Sequence, residues 1–322
     1  HPERALERLV TPNVRSAMAM FGFVYAWYLA VVLLLEIWFD YRKDMVIWAR
    51  ESRGLTRLMY KTLTLGANDM SAAALKLDDR ASRLITLIGI PSAFLLHGYV
   101  GFIFGSVKAN PWWSSVLIPI VFLFSAIVSG IAAVLVLYVL TSLVRGRDVD
   151  MTCLDKLASF LLYALIIDFS LEVLDFIHRF YEAEESIAIL SQLVTSRLFI
   201  SLIVLQVVLG TVVPMLTLGL ITPAFASKSL VRSTGELRRM MYFGAALLIQ
   251  IGIFCTRWNV VIGGQLFSKS LRGLTVFKLE VLGPEGFFAA AGMLMLPLVV
   301  LFILTRILPP WPDAAASVAE VH

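Results

Sequence analysis

Cysteine is almost missing from this chain: Cys153 and Cys255 are the only two among 322 residues. An iron-sulfur cluster needs about four thiolates, and a c-type haem needs a C-x-x-C-H motif. The chain holds neither, so any such group belongs to a partner. Histidine is nearly as scarce, at His1, His97, His178 and His322, which leaves little for axial ligation of a b-type haem. Charged residues make up only 16%, against roughly 25% in soluble domains. The net charge of +4 is too small and too dispersed to suggest nucleic acid. None of the apolar runs resembles a cleavable signal, because the first begins after sixteen mixed residues and is longer than a signal's apolar region. The chain starts at His1, and further residues are expected upstream of it.

What the sequence has instead is apolar length. Hydrophobic residues make up 59%, and seven runs long enough to cross a bilayer, which takes about 20 residues each, fall near 17–39, 82–105, 114–144, 154–178, 196–221, 238–256 and 284–307. The predicted fold is all-α, a polytopic transmembrane bundle forming one integral membrane domain over 1–322. Lys and Arg divide 17 to 10 between the two sides. The richer side, with loops 40–83, 144–156 and 222–239, is expected to be cytoplasmic.

Between the first two runs, residues 40–81 space Met45, Trp48, Leu55, Leu58 and Met59 among basic residues. That pattern predicts an amphipathic linker lying on the cytoplasmic surface, available as a docking site or simply interfacial. Pro91, Pro119 and Pro214 fall inside runs and predict kinks in a packed bundle. Trp112 and Trp113 follow a run end and read as interfacial anchors. Residues 308–322 read as a loose tail.

The fourth run contains Asp168, Glu172 and Asp175 at i, i+4 and i+7. At about 100° per residue they stand near 0°, 40° and −20°, on one face. A charge at the bilayer centre costs from about 3 to over 10 kcal/mol, so this face should meet protein, water or a polar ligand. Asp175 alone could be solvated at the helix end, or paired with Arg179 on the same face. His97 lies about 15 residues, or roughly 22 Å, into the second run, at a depth similar to Asp175. An imidazole and a carboxylate at that depth can bind a quinone head group and exchange the two protons of quinone/quinol chemistry, with Glu172 and Asp168 as a deeper proton route. A structural histidine and a haem b ligand stay open as alternatives for His97. Arg257, Asn259 and Gln265 flank Gly263 and Gly264 where the sixth run ends, and the segment reads as a loop lining the site or a docking surface.

The stretches LLHGYVGFIFG and PWWSSVLIPIVFLFSAIVSGIAAV, RWNVVIGGQ at 257–265 and TPNVRSAMAMFGFVYAWYL resemble segments of the NrfD-like family, the polysulfide reductase membrane subunits. Members have eight to ten spans against seven in this chain. The resemblance implies a subunit without cofactors of its own, in the cytoplasmic membrane of a prokaryote. It would exchange electrons between a quinone, with menaquinone expected, and an iron-sulfur subunit docked on the outer face, alongside catalytic and cytochrome subunits. It places the quinone site at His97 and Asp175, with Glu172 as the runner-up acid. The competing reading is a secondary transporter or proton-conducting protein that uses the acidic stripe as its ion path.

Overall fold

The computed structural model describes residues 16–182, 186–222, 235–268, 273–276, 281–283 and 286–311; most of the expected tail, 312–322, lies outside them. Nine helices are named among these residues: α1 (17–51), α2 (Gly54–Leu63), α3 (Ala72–Gly105), α4 (Ile118–Val144), α5 (Met151–Glu182), α6 (Ile187–Gln192), α7 (Phe199–Ile221), α8 (Gly235–Gln265) and α9 (Phe287–Ile307). Seven of them, all but α2 and α6, are long and apolar enough to cross a membrane. A lipid-spanning backbone must satisfy its own N–H and C=O groups, and a helix does so within itself. The protein is a multi-pass membrane protein, as expected from its apolar runs.

The chain divides into two compact units, His1–Leu96 with Lys278–His322, and His97–Phe277. In the first unit, α1 and α3 are tied by Arg42. Its guanidinium pairs with Asp78 and donates to the carbonyls of Ala67 and Asp69 at 3.0 and 2.8 Å, so one buried cation closes the turn between them. Asp69 accepts from the Ser71 N–H at 2.8 Å and its hydroxyl at 3.1 Å, and Ser71 Oγ accepts from Ala74 N–H at the start of α3. These bonds, the Ser71 N–H first, hold the Asp69 carboxyl below the usual carboxylate range. This cap therefore contributes above the ordinary carboxylate pKa and is lost as pH falls through the depressed value. Residues 40–51 continue α1 as helix, and Met45 and Trp48 pack with Tyr60 of α2 while Leu55 and Leu58 stay exposed.

The second unit is a bundle of α4, α5, α7 and α8 with the last turns of α3. Its apolar core takes Val128, Ala132, Leu135 and Val139 from α4, Leu154, Ala158, Leu161, Leu162 and Leu165 from α5, Leu218 and Ile221 from α7, and Tyr242, Ala245, Ala246 and Ile249 from α8. On each helix these recur at three- and four-residue spacing, one inward stripe per helix. The proline expectations need correcting. Pro119 lies in the first turn of α4, where its missing N–H leaves no bond unmade. Pro214 opens the α-helical half of α7, just after 199–212 has run in wider turns, as Leu198 N–H to Leu193 O at 2.9 Å begins them. Of the three, only Pro91 is interior to an α-helix in the manner expected.

Gly210 of α7 and Gly252 of α8 bring their backbones together, and a Cβ on either would run into the other's main chain. Lipid tails are as apolar as leucine, so close backbone approach is what holds such helices together. Gly252→Leu is expected to force the pair apart, at a cost of about 1 to 3 kcal/mol, seen as a lower melting temperature in detergent. Gly244→Ala meets open space and should leave the melting temperature within error.

Candidate functional site

The inward face of α5 continues beyond the apolar core as Asp168, Glu172, Asp175 and Arg179. Asp168, Asp175 and Arg179 are buried, at 2%, 4% and 6% exposure, in a segment long enough to span a bilayer. A carboxylate there needs a partner, and the surroundings of Asp168, Glu172 and Asp175 differ. Asp175 pairs with Arg179 one turn on, as the spacing allows, and accepts a short hydrogen bond from Ser115. Arg179 also donates to the Trp112 carbonyl at 2.6 Å and lies 5.2 Å from that ring's centroid.

Glu172 meets two neutral donors, the Gln206 amide at 3.2 Å and the Thr256 hydroxyl at 3.3 Å. The Gln206 amide is oriented in turn, because its Oε1 accepts from Asn259 Nδ2 at 2.8 Å, and Asn259 Oδ1 accepts from Ser201 at 2.6 Å. Such a relay fixes which end of each amide faces the acid. Arg257 of α8 donates to Ser125 at 2.7 Å and the Phe122 carbonyl at 3.2 Å, and its guanidinium carbon lies 3.9 Å from the Phe122 centroid. It stands within electrostatic reach of Asp168 and Glu172. Asp168 Oδ1 and Arg257 Nη1 are both buried without a hydrogen-bond partner among the described residues.

A cavity of about 50 Å3, lined by Glu172, Asp175, Arg179, Gln206, Thr256, Asn259, Trp112 and apolar neighbours, lies at the heart of this network. One water needs roughly 10 to 15 Å3 by the same measure, so the cavity fits a few waters and no aromatic ring. The connection at 106–117 roofs it. Asn110, Trp112 and Trp113 donate to the carbonyls of Gly264, Asn259 and Val260 at 2.8, 2.9 and 2.6 Å.

These indoles are therefore buried or half-buried packing groups, and the expectation of interfacial anchors is wrong. Their rings occupy the space that side chains at 263 and 264 would take, and this explains the glycine pair. The segment 257–265 is helix to Gln265, not a loop. At its end the Gly264 carbonyl accepts from Asn110; residues 269–272 lie outside the described part. Gln265 is exposed at the helix end.

His97 lies on α3, half-buried, outside the residues that line the cavity. The same helix end reaches the roof. A Cβ at Gly101 would come within 2.6 Å of Pro119 Cα, and one at Gly105 within 2.6 Å of the Ser115 carbonyl. Ser115 thus touches both the histidine's helix and Asp175. Ser115 and Ser125 were not singled out from the sequence, since isolated serines carry no periodic signal. Thr256 was not singled out either; its spacing with Asn259 and Gly263, at i, i+3 and i+7 on α8, is the signal that could have marked that face.

Fold and site together define a multi-pass helical membrane protein whose acidic stripe turns inward onto a small polar cavity. Residues 1–269 match the family described as Polysulphide reductase, NrfD, and the chain belongs to that family. It is 31% identical over 271 residues to a selenate reductase subunit of Mesobacillus selenatarsenatis, covering 81% of this chain and 59% of that protein. It is 29% identical over 166 residues to a putative dimethyl sulfoxide reductase membrane subunit of Halobacterium salinarum, covering 48% and 34%. The chain thus spans about three-fifths of the first relative and one-third of the second.

Replacing Arg179 by Met leaves Asp175 as a buried charge without its cation. The expected loss of stability is about 3 to 5 kcal/mol, measured by thermal unfolding in detergent. The double change Asp175→Asn with Arg179→Met should recover most of it.

Proposed function

We propose that the protein is the quinone-interacting membrane subunit of a respiratory reductase complex. It takes electrons from, or gives them to, an iron-sulfur subunit docked where residues 106–117 and 186–198 emerge, while His97 and the α5 carboxylates handle the protons. Family membership and the two relatives, both named as subunits of reductases, support the reductase setting. The observation that carries the proton part is the alignment of Asp168, Glu172 and Asp175 on one face of α5, with Glu172 and Asp175 lining a cavity that fits a few waters. A hydrogen-bonded acid with waters next to it can pass protons where a ring could not enter.

The quinone head group, as substrate, then sits at the edge of this network and not inside the cavity. His97, on the helix that abuts Ser115, reaches one carbonyl oxygen, and Ser115 bonds Asp175, which lines the cavity. Glu172 and Asp168 lie deeper and supply or accept the second proton. Arg257 holds that deep pair in place electrostatically, and Gln265 belongs to the exposed end of α8 where a partner docks. Menaquinone is the expected quinone, and catalytic and cytochrome subunits complete the complex.

A transporter or proton channel would need a polar path to the other membrane face. Below Asp168 the inward face of α5 is Leu165, Leu162, Leu161 and Ala158, all buried among apolar partners. The next charge along α5 is half-buried Asp155, paired with Arg238, about 13 residues or 20 Å away. Between them, Gln250 is satisfied locally by Ser129 at 2.6 and 3.1 Å. This arrangement favours a redox subunit with proton exchange at one face.

His97→Ala is expected to lower quinol-coupled electron transfer by about 100-fold with the subunit still assembled in the membrane, measured with a water-soluble quinol analogue. Normal turnover in that variant would remove the histidine from the site. Glu172→Gln should slow turnover while leaving analogue binding, read by fluorescence quenching, unchanged.

A further inference from the structure

The first unit holds a cavity of its own. It measures about 440 Å3 and lies between α1 and α3, within the range of about 300 to 1,000 Å3 usual for ligand sites. Its lining falls where the apolar run of α1 gives way to charge and that of α3 begins, at the level of lipid head groups. Two of its polar contacts tie the helices together and fix the walls. Asp78 is held by buried Arg42, and the Ser82 hydroxyl donates to Asp40 at 2.5 Å.

The other charged groups at the cavity are unused. Lys43, Asp79 and Arg83 are exposed and make no hydrogen bond or ion pair among the described residues. With Asp78 neutralised by Arg42, two cations, Lys43 and Arg83, face two carboxylates, Asp40 and Asp79. A purely anionic ligand would meet as much repulsion as attraction here, whereas a ligand with a positive and a negative end satisfies both pairs. Asp40 keeps acceptor capacity for this, because a carboxylate takes about four hydrogen bonds and Ser82 supplies one.

The helix faces that carry these groups continue into the membrane as exposed apolar side chains. Leu87 and Ile90 follow Arg83 at i+4 and i+7, at 68% and 56% exposure, and Leu35 precedes Phe39 by four residues at 40%. A molecule seated by its head in the cavity therefore has an apolar track beneath it on both helices.

We infer that this cavity binds the head group of a zwitterionic aminophospholipid. Its phosphodiester lies on Lys43 and Arg83, its primary ammonium on Asp40 and Asp79, and its acyl chains along Leu35, Leu87 and Ile90. A primary ammonium brings three N–H donors to the two carboxylates; a trimethylated one brings none. The site lies wholly within the first unit and is independent of the quinone reading.

The test is native mass spectrometry of the complex isolated from membranes, delipidated and titrated with phosphatidylethanolamine, phosphatidylglycerol or soluble O-phosphoethanolamine. Lys43→Gln with Arg83→Gln should weaken phosphatidylethanolamine binding at about one site per chain by about 20-fold, and either change alone by about fivefold. The single changes serve if the double variant fails to assemble. Lys76→Gln with Arg80→Gln removes the same charge from exposed α3 positions outside the cavity lining and should leave binding as in wild type. Asp79→Asn should erase the preference for phosphatidylethanolamine over phosphatidylglycerol at that site. Equal weakening by the cavity and outside pairs, or a site that takes phosphatidylglycerol as well as phosphatidylethanolamine in the wild type, overturns the inference. Soluble O-phosphoethanolamine binding as tightly as the lipid would overturn the membrane source and leave a free phosphate ester as the ligand.

Discussion

The second unit is organised by the cost of placing charge inside a membrane. One helix, α5, carries three carboxylates into the bundle, and every other polar feature nearby answers to them. Arg179 and Ser115 meet the first, Gln206 and Thr256 the second, and Arg257 stands off the third. Without these partners the acids would be expelled toward lipid or kept neutral by desolvation. With them, the bundle keeps a polar pocket with room for a few waters at one end and an apolar core at the other.

That division bears on function. On the proposed route a proton reaching Glu172 from the roofed end would pass Asp175 and the cavity, and beyond Asp168 it would meet Leu165, Leu162 and Leu161. Proton chemistry in this chain is therefore proposed to face one side. The roof itself is built economically: two tryptophans and an asparagine donate to backbone carbonyls of α8, over a pair of glycines that leave room for the rings. The same stretch carries Ser115, so the roof's position and the environment of Asp175 are set together.

Much of this was legible in the sequence, for reasons that differ by feature. The spans were readable because apolar length is a local property. The acidic stripe was readable because i, i+4, i+7 spacing fixes a helix face whatever surrounds it, and the Arg179–Asp175 pair followed from the same rule. The partners of Glu172 were not readable, since Gln206 and Thr256 come from helices 34 and 84 residues away and nothing local says which faces meet. Trp112 and Trp113 misled because a tryptophan pair at a run end has the same composition whether it anchors in headgroups or fills a cleft over glycines. The RWNVVIGGQ segment misled for a related reason: its glycines suggested a turn, whereas they leave space for the indoles against a helix that continues.

The most direct measurement reconstitutes the complex in liposomes, with a pH-sensitive dye first inside and then outside, while quinol is oxidised. Proton release should appear only on the side bearing residues 106–117, and Glu172→Gln should slow it. Release on the opposite side, or release indifferent to Glu172, would contradict the account.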